Sequence, residues 1–149
     1  ASALLTTYAA RDAIVVTHNY MYPDETRQRD PDDDYGPVVH SIGGADGEGV
    51  WAMLRQHDNV ALVVSGHQLQ DGTGKRIDST NGGHSTWQIL CNYQFGVTGG
   101  NHGELRLYTI KPHANRLVAK TLSVNDGTYR LEADQQFTVS YRATRGLRY

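Results

Sequence analysis

Two histidines in this chain each close an apolar, β-branched run. His18 follows Ile14-Val15-Val16-Thr17, and His67 follows Val60-Ala61-Leu62-Val63-Val64-Ser65-Gly66. Runs of this kind that stop at a histidine beside small or polar residues have the pattern of buried strands delivering a ligand at their carboxyl ends. Neighbouring strands lie roughly 4.8 Å apart, so two such strands side by side in a parallel sheet would let both imidazoles bind one metal ion or one phosphate. Asn19 and Gln68, the next residues along, could orient a water or donate to a phosphoryl oxygen. Taken alone, His18 also reads as a histidine satisfied by a backbone carbonyl at a strand end.

The elements that must position this pair can be read in order. Ser2 to Arg11 is expected to form a short helix, with Leu4, Leu5 and Tyr8 on one face. Ala13 to Thr17 is the first strand. Prolines and the acidic cluster Asp32-Asp33-Asp34 make the stretch from Tyr22 to Gly47 a long loop, placed to overhang the site. The acid spacing lacks the remainder of a calcium loop, so a solvated acidic turn is the better reading. Gly49 to His57 carries Val50, Met53 and Leu54 at helical spacing, with Trp51 on the flank and Glu48 complementing the helix dipole. Asp58-Asn59 turns the chain into the second strand, Val60 to Ser65. The result is a βαβ unit whose ligand-bearing ends share one edge, where sites form in parallel sheets.

Past His67 the pattern becomes antiparallel β. Gln70 to Gly74 reads as a turn, and strands are expected at Lys75 to Ser79, Ser85 to Tyr93, Gly103 to Ile110, Leu117 to Leu122 and Gln136 to Tyr141. Gly82-Gly83, Gly99-Gly100 and Asp126-Gly127 punctuate them. The fold class is therefore α/β to α+β, a short βαβ unit followed by antiparallel strands, in one domain over residues 1–149.

Composition narrows the function classes. A net charge of -2, with no basic cluster before Arg142, Arg145 and Arg148, argues against general affinity for nucleic acid or anionic membrane. No apolar run approaches 18 residues, which excludes a transmembrane helix. No signal-peptide pattern opens the chain, which begins without Met, as a processed or trimmed amino terminus would; either a cytoplasmic or an exported location fits. The single cysteine, Cys91, has no partner for an internal disulfide and reads as a buried, inert thiol.

Taken together, Val15-Val16-Thr17-His18-Asn19, Ser65-Gly66-His67, Leu90-Cys91-Asn92-Tyr93-Gln94, Gly99-Gly100 and Gly103-Glu104-Leu105-Arg106-Leu107 resemble the second, C-terminal half of the calcineurin-like metallophosphoesterase domain. The similarity is closest to a bacterial-type subgroup and covers nearly the whole chain. It implies half of a β-sandwich with flanking helices, and a family site in which two metals clamp a phosphoryl group and activate water. By this resemblance His18 matches the family's isolated metal-binding histidine and His67 the first histidine of its Gly-His-x-His motif, both on the same metal. Departures accompany it: the chain has no Asp-x-His, Leu69 stands where the motif's second histidine belongs, and Gly100-Asn101-His102 comes after His67 rather than before His18.

Without the aspartate that, by this resemblance, bridges the two metals in the family, the expectation is one divalent ion per chain, Zn, Mn or Fe, with three protein ligands and an open position. His18 and His67 supply two. The third is expected from His40, Asp71, His84, His102 or a second copy of the chain. Tyr93 reads as a core ring with a satisfied hydroxyl as readily as a site residue. His84 and His113 are expected in exposed turns, and His57 as a favourable charge at a helix C-terminus. The expected function is metal-dependent hydrolysis of a small phosphodiester-type ester by metal-activated water, with Asn19, His67 and Gln68 as the catalytic group. A noncatalytic scaffold or regulatory module, or an inactive piece lacking its N-terminal half, is the competing reading. A sheet cut from its partner exposes apolar faces and unpaired edges, so a homo-oligomer is expected.

Overall fold

A computed structural model describes residues 1–29, 44–69, 72–94 and 103–140. Helix α1 (Ser2–Thr7) leads into strand β1 (Ala13–Val16), helix α2 (Gly47–Leu54) and strand β2 (Val60–Ser65). Six strands follow: β3 (Thr73–Ser79), β4 (Ser85–Cys91), β5 (Glu104–Lys111), β6 (Arg116–Ser123), β7 (Thr128–Tyr129) and β8 (Gln136–Ser140). The protein is thus mixed α/β, mostly strand, with few helices.

The strands form two sheets. In the first, ordered β1-β2-β4-β3, β1 and β4 both run parallel to β2, and β3 is antiparallel to β4. In the second, β6 pairs antiparallel with β5 on one side and with β7 and β8 on the other. The expected parallel βαβ unit is present, and β2 is the central strand that the apolar run predicts, nearly all of it buried. One side of the first sheet packs under the helices through Leu5, Tyr20, Met21, Trp51, Leu54, Val60, Val63 and Leu90. Opposite, Ala61, Leu62 and Ile89 meet Leu117 and Val139 of the second sheet. Trp87 Nε1 also donates across the gap to the Ser140 carbonyl at 2.9 Å.

Several boundaries differ from the sequence reading, each for a local reason. The first helix stops at Thr7 rather than Arg11, because buried Asn59 donates its side-chain amide to the carbonyls of Leu5, Tyr8 and Arg11 at 3.1–3.3 Å. Of these, the Leu5 carbonyl is the one that a helix running to Arg11 would have bonded internally. The second helix starts at Gly47 because the Asp46 carboxylate caps the Gly49 amide at 2.6 Å. Gly47 itself lies against the Tyr20 carbonyl so closely that a β-carbon could not fit. Trp51, placed on the flank by spacing, is buried in the core with Leu54.

The start of the long loop is not a lid. Met21 and Arg27 form an antiparallel bridge, and Arg27 and Gln28 are buried. The Arg27 guanidinium donates to Asp78 Oδ2 at 2.7 Å and Gln88 Oε1 at 3.1 Å, sits 3.3 Å from Glu48, and lies 5.0 Å over the Trp51 ring. Tyr20 donates to the same Gln88 oxygen at 2.5 Å. A buried cation needs such partners, because desolvation costs it several kcal/mol otherwise (about that much per ion).

Candidate functional site

All three parallel strands end at one edge of the first sheet, and each delivers its next residues there: His18-Asn19 after β1, Gly66-His67-Gln68 after β2, and Asn92-Tyr93 after β4. Pairing persists past the named strands. The Thr17 amide donates to Val64 at 3.0 Å and the Gly66 amide to His18 at 3.0 Å. The two strand segments therefore stay in register up to the histidines.

The imidazoles of His18 and His67 meet, with ring centroids 4.4 Å apart and planes tilted by 53°. Two imidazoles on one zinc ion, with Zn–N near 2.0–2.1 Å, would hold their centroids about 4.5–5.5 Å apart for ligand angles of about 90–110°. The observed separation lies just below that range, so a small parting of the rings would bring the pair to two positions of one coordination sphere. Among the described residues, no group of three or more His, Cys, Asp or Glu side chains converges in the way a metal site requires.

His67 reaches this place by an uncommon backbone. Its φ is +69°, and the Gln68 amide donates to the Gly66 carbonyl at 2.8 Å across it. This is a γ-turn of the strained, positive-φ type. A non-glycine residue held there costs on the order of 1–3 kcal/mol and persists only where its surroundings overdetermine it. Those surroundings are visible: Gln68 Nε2 donates to Asn19 Oδ1 at 2.8 Å, and Asn92 Nδ2 donates to the Gln68 carbonyl at 2.9 Å. Asn19 and Gln68, both singled out from the sequence, are thus joined to each other beside the histidines.

The other candidates are distributed differently. His40, Asp71 and His102 lie outside the described residues, as do the acidic cluster Asp32 to Asp34 and Gly99-Gly100. His84 does not join the pair. It precedes β4 and so stands at the amino end of the sheet, about 20 Å of strand from the carboxyl edge at roughly 3.3 Å per residue. Its turn is also less open than expected: the backbone amide donates to Thr80 Oγ1 at 3.0 Å, and ring Nδ1 is buried. Thr80 in turn donates to Asp58 at 2.5 Å, and that bond, with the Gly82 amide, holds the exposed Asp58 carboxyl below its ordinary range. His113 is exposed as expected, in a 3₁₀ turn at Pro112–Ala114. His57 follows the second helix and shares a 2.8 Å hydrogen bond with Ser2 Oγ.

Tyr93 lies at the carboxyl edge, but its hydroxyl turns to the second sheet. It bonds with Thr121 Oγ1 at 2.8 Å, Gln135 Oε1 at 3.0 Å and Arg106 Nε at 3.0 Å. Burial pushes this phenol well above its usual pKa, with neighbouring Cys91 adding to the effect. The satisfied-ring reading of Tyr93 therefore describes it better than a site role. Cys91 is half-buried rather than buried as expected, and burial raises its thiol pKa despite the nearby Arg106 charge.

Sequence reasoning missed the contribution of Asn92, although it stands in the run that carries the family resemblance. Its side chain acts on a backbone carbonyl 24 positions away, a relation with no signature in spacing. Comparison of the chain with protein-family models, with curated proteins and with solved structures finds no match.

Proposed function

We propose that this protein is a metal-dependent phosphoester hydrolase acting on a small phosphodiester-type ester, with His18 and His67 on one divalent ion. The observation that carries the reading is the meeting of the two imidazoles at the shared carboxyl edge of adjacent parallel strands. The sequence resemblance to the C-terminal half of the calcineurin-like metallophosphoesterase domain supplies the reaction class, and the two packed sheets with helices on one side are compatible with it. Zn, Mn or Fe in this place would supply charge neutralisation at a phosphoryl group and acidify a water for attack. Asn19 and Gln68, locked to each other by a 2.8 Å hydrogen bond, are the side chains assigned to orient the ester and its nucleophile. The third ligand is assigned to His40, Asp71, His102 or a second copy of the chain.

A noncatalytic scaffold keeping one metal is the second reading, and a specific observation favours it: the described residues bring together two candidate ligands and not three. Metal analysis followed by hydrolysis of a chromogenic bis-aryl phosphate separates the two. Bound metal and turnover in the wild type, with both lost in His67→Ala, is the expected result. Bound metal without turnover selects the scaffold, and neither metal nor turnover ends the metal reading altogether.

A homo-oligomer is part of the same proposal. Strand β1 is an edge among the described residues, and Ile14 and Val16 are 49% and 79% exposed on it. Their partners across the ladder, Leu62 and Val64, pack towards the second sheet. One strand over, no such cover is found among the described residues, and an apolar strand edge is a template for pairing with another chain.

A further inference from the structure

We infer that Asn92 is the positioning residue of the histidine pair, holding His67 in its strained turn so that its ring meets His18; the inference deepens the proposed metal site and rests on it for its consequence. Asn92 is buried and bonds to both Gln68 and Gly72. Its side-chain Nδ2 donates to the Gln68 carbonyl at 2.9 Å, and its backbone amide donates to the Gly72 carbonyl at 2.7 Å. Its Oδ1 faces the Gln94 amide at 3.4 Å, which sets the carboxamide with its nitrogen towards Gln68. The γ-turn at His67 is the conformation most in need of such a hold, since positive φ is disfavoured for a residue with a side chain. Releasing the Gln68 carbonyl lets residues 66–68 relax to ordinary backbone angles, and any such change swings the His67 side chain away from its neighbour. The Asn92 bond to this segment is to the Gln68 carbonyl, so its hold on the His67 ring runs through the backbone.

Asn92→Asp tests this with minimal change of shape. The aspartate keeps the backbone bond to Gly72 and an oxygen for Gln94, but it presents an acceptor to the Gln68 carbonyl. Thr80→Ala is the control for general destabilisation, because it removes a bond to Asp58 at the opposite edge of the sheet. Well below the unfolding temperature, with folding verified by circular dichroism, nuclear Overhauser contacts between the His18 and His67 rings are recorded, followed by Co²⁺ titration read by visible absorption. Asn92→Asp is expected to lose the ring contacts and to bind Co²⁺ at least about tenfold more weakly, the scale typical of residues that orient a ligand. Thr80→Ala is expected to retain both. Ring contacts in Asn92→Asp equal to wild type, or lost equally in Thr80→Ala, would overturn the inference. If the wild type takes up no Co²⁺, the metal reading falls, and the ring contacts still decide the role of Asn92.

Discussion

Gly72 gives its carbonyl to the Asn92 amide at 2.7 Å and leaves no space for a β-carbon against the Asn92 carbonyl. Its φ of +67° adds a conformational demand that glycine meets at little cost. Gly72→Ala should therefore lose stability twice over, by about 1–2 kcal/mol for the left-handed backbone and by a comparable amount, about 1–2 kcal/mol, for the displaced Asn92 strand end. Gly83 separates the two effects: its φ is +85°, but nothing lies within 4 Å of a β-carbon there. Urea unfolding should show Gly83→Ala paying the first cost alone and Gly72→Ala both. Equal losses in the two variants would remove the steric coupling between Gly72 and the site.

A shared ion makes a distinct prediction for the histidines. His18→Ala and His67→Ala should each weaken Zn²⁺ binding by more than the about 10–100-fold typical of residues that only orient a ligand, and the double variant should be little worse than either. Interaction of this kind is what a double-mutant cycle detects. Calorimetric titration of the four proteins gives the answer, and losses that multiply would mean two separate sites rather than one.

Much of this architecture was legible from alternation and punctuation. Phe137-Thr138-Val139 read as a strand because one face of it packs inward and the other is wet. Leu105-Arg106-Leu107-Tyr108 alternates too, but there the leucines are the exposed face and Arg106 and Tyr108 the partly buried one. The continuous run Val60 to Val64 read as a central strand because both of its faces are covered. The approach of His18 to His67 followed from two parallel strands ending together. Less was visible where a contact joins residues with no common period. Arg27 sits in a polar, proline-containing stretch that reads as solvated loop, yet its guanidinium is buried against Asp78, some fifty positions later. Strand β7, only Thr128–Tyr129, is too short to show a period. The positive φ of His67 was equally hidden, since histidine carries none of the conformational signal of glycine.

Asp78 links the buried Arg27 to the solvent and should make part of the stability depend on pH. Burial alone would raise its pKa, but hydrogen bonds from Arg76 and Gln88 and the charges of Arg27 and Arg76 outweigh it and leave the carboxyl below its ordinary value. A depressed pKa means stabilisation that is complete above the unfolded carboxyl value, near 3.9 (approximately), and is lost as pH falls through the folded one. Asp78→Asn should cost about 2 kcal/mol at neutral pH, less than for a fully buried pair because Asp78 keeps some exposure. The gap in melting temperature between wild type and variant should then narrow as pH falls from 6 to about 3. A gap independent of pH would show that the carboxylate charge contributes nothing to holding Arg27.

The exposed edge of β1 can be tested without touching the histidines. Val16 is 79% exposed, so a lysine there meets water in an isolated chain and costs the folded monomer little, within about 0.5 kcal/mol. In an assembly formed through this edge, the same lysine is brought against its symmetry mate or an apolar surface, which is how natural sheets block pairing at their edges. Val16→Lys should therefore lower the mass measured by light scattering from that of the wild-type oligomer to that of one chain, and leave the thermal midpoint of the dilute protein nearly unchanged. Should the third metal ligand come from a second copy, Zn²⁺ affinity must fall in parallel with the loss of assembly. A wild type that is already monomeric would end the oligomer proposal, and a Val16→Lys protein of undiminished mass would move the association away from this strand.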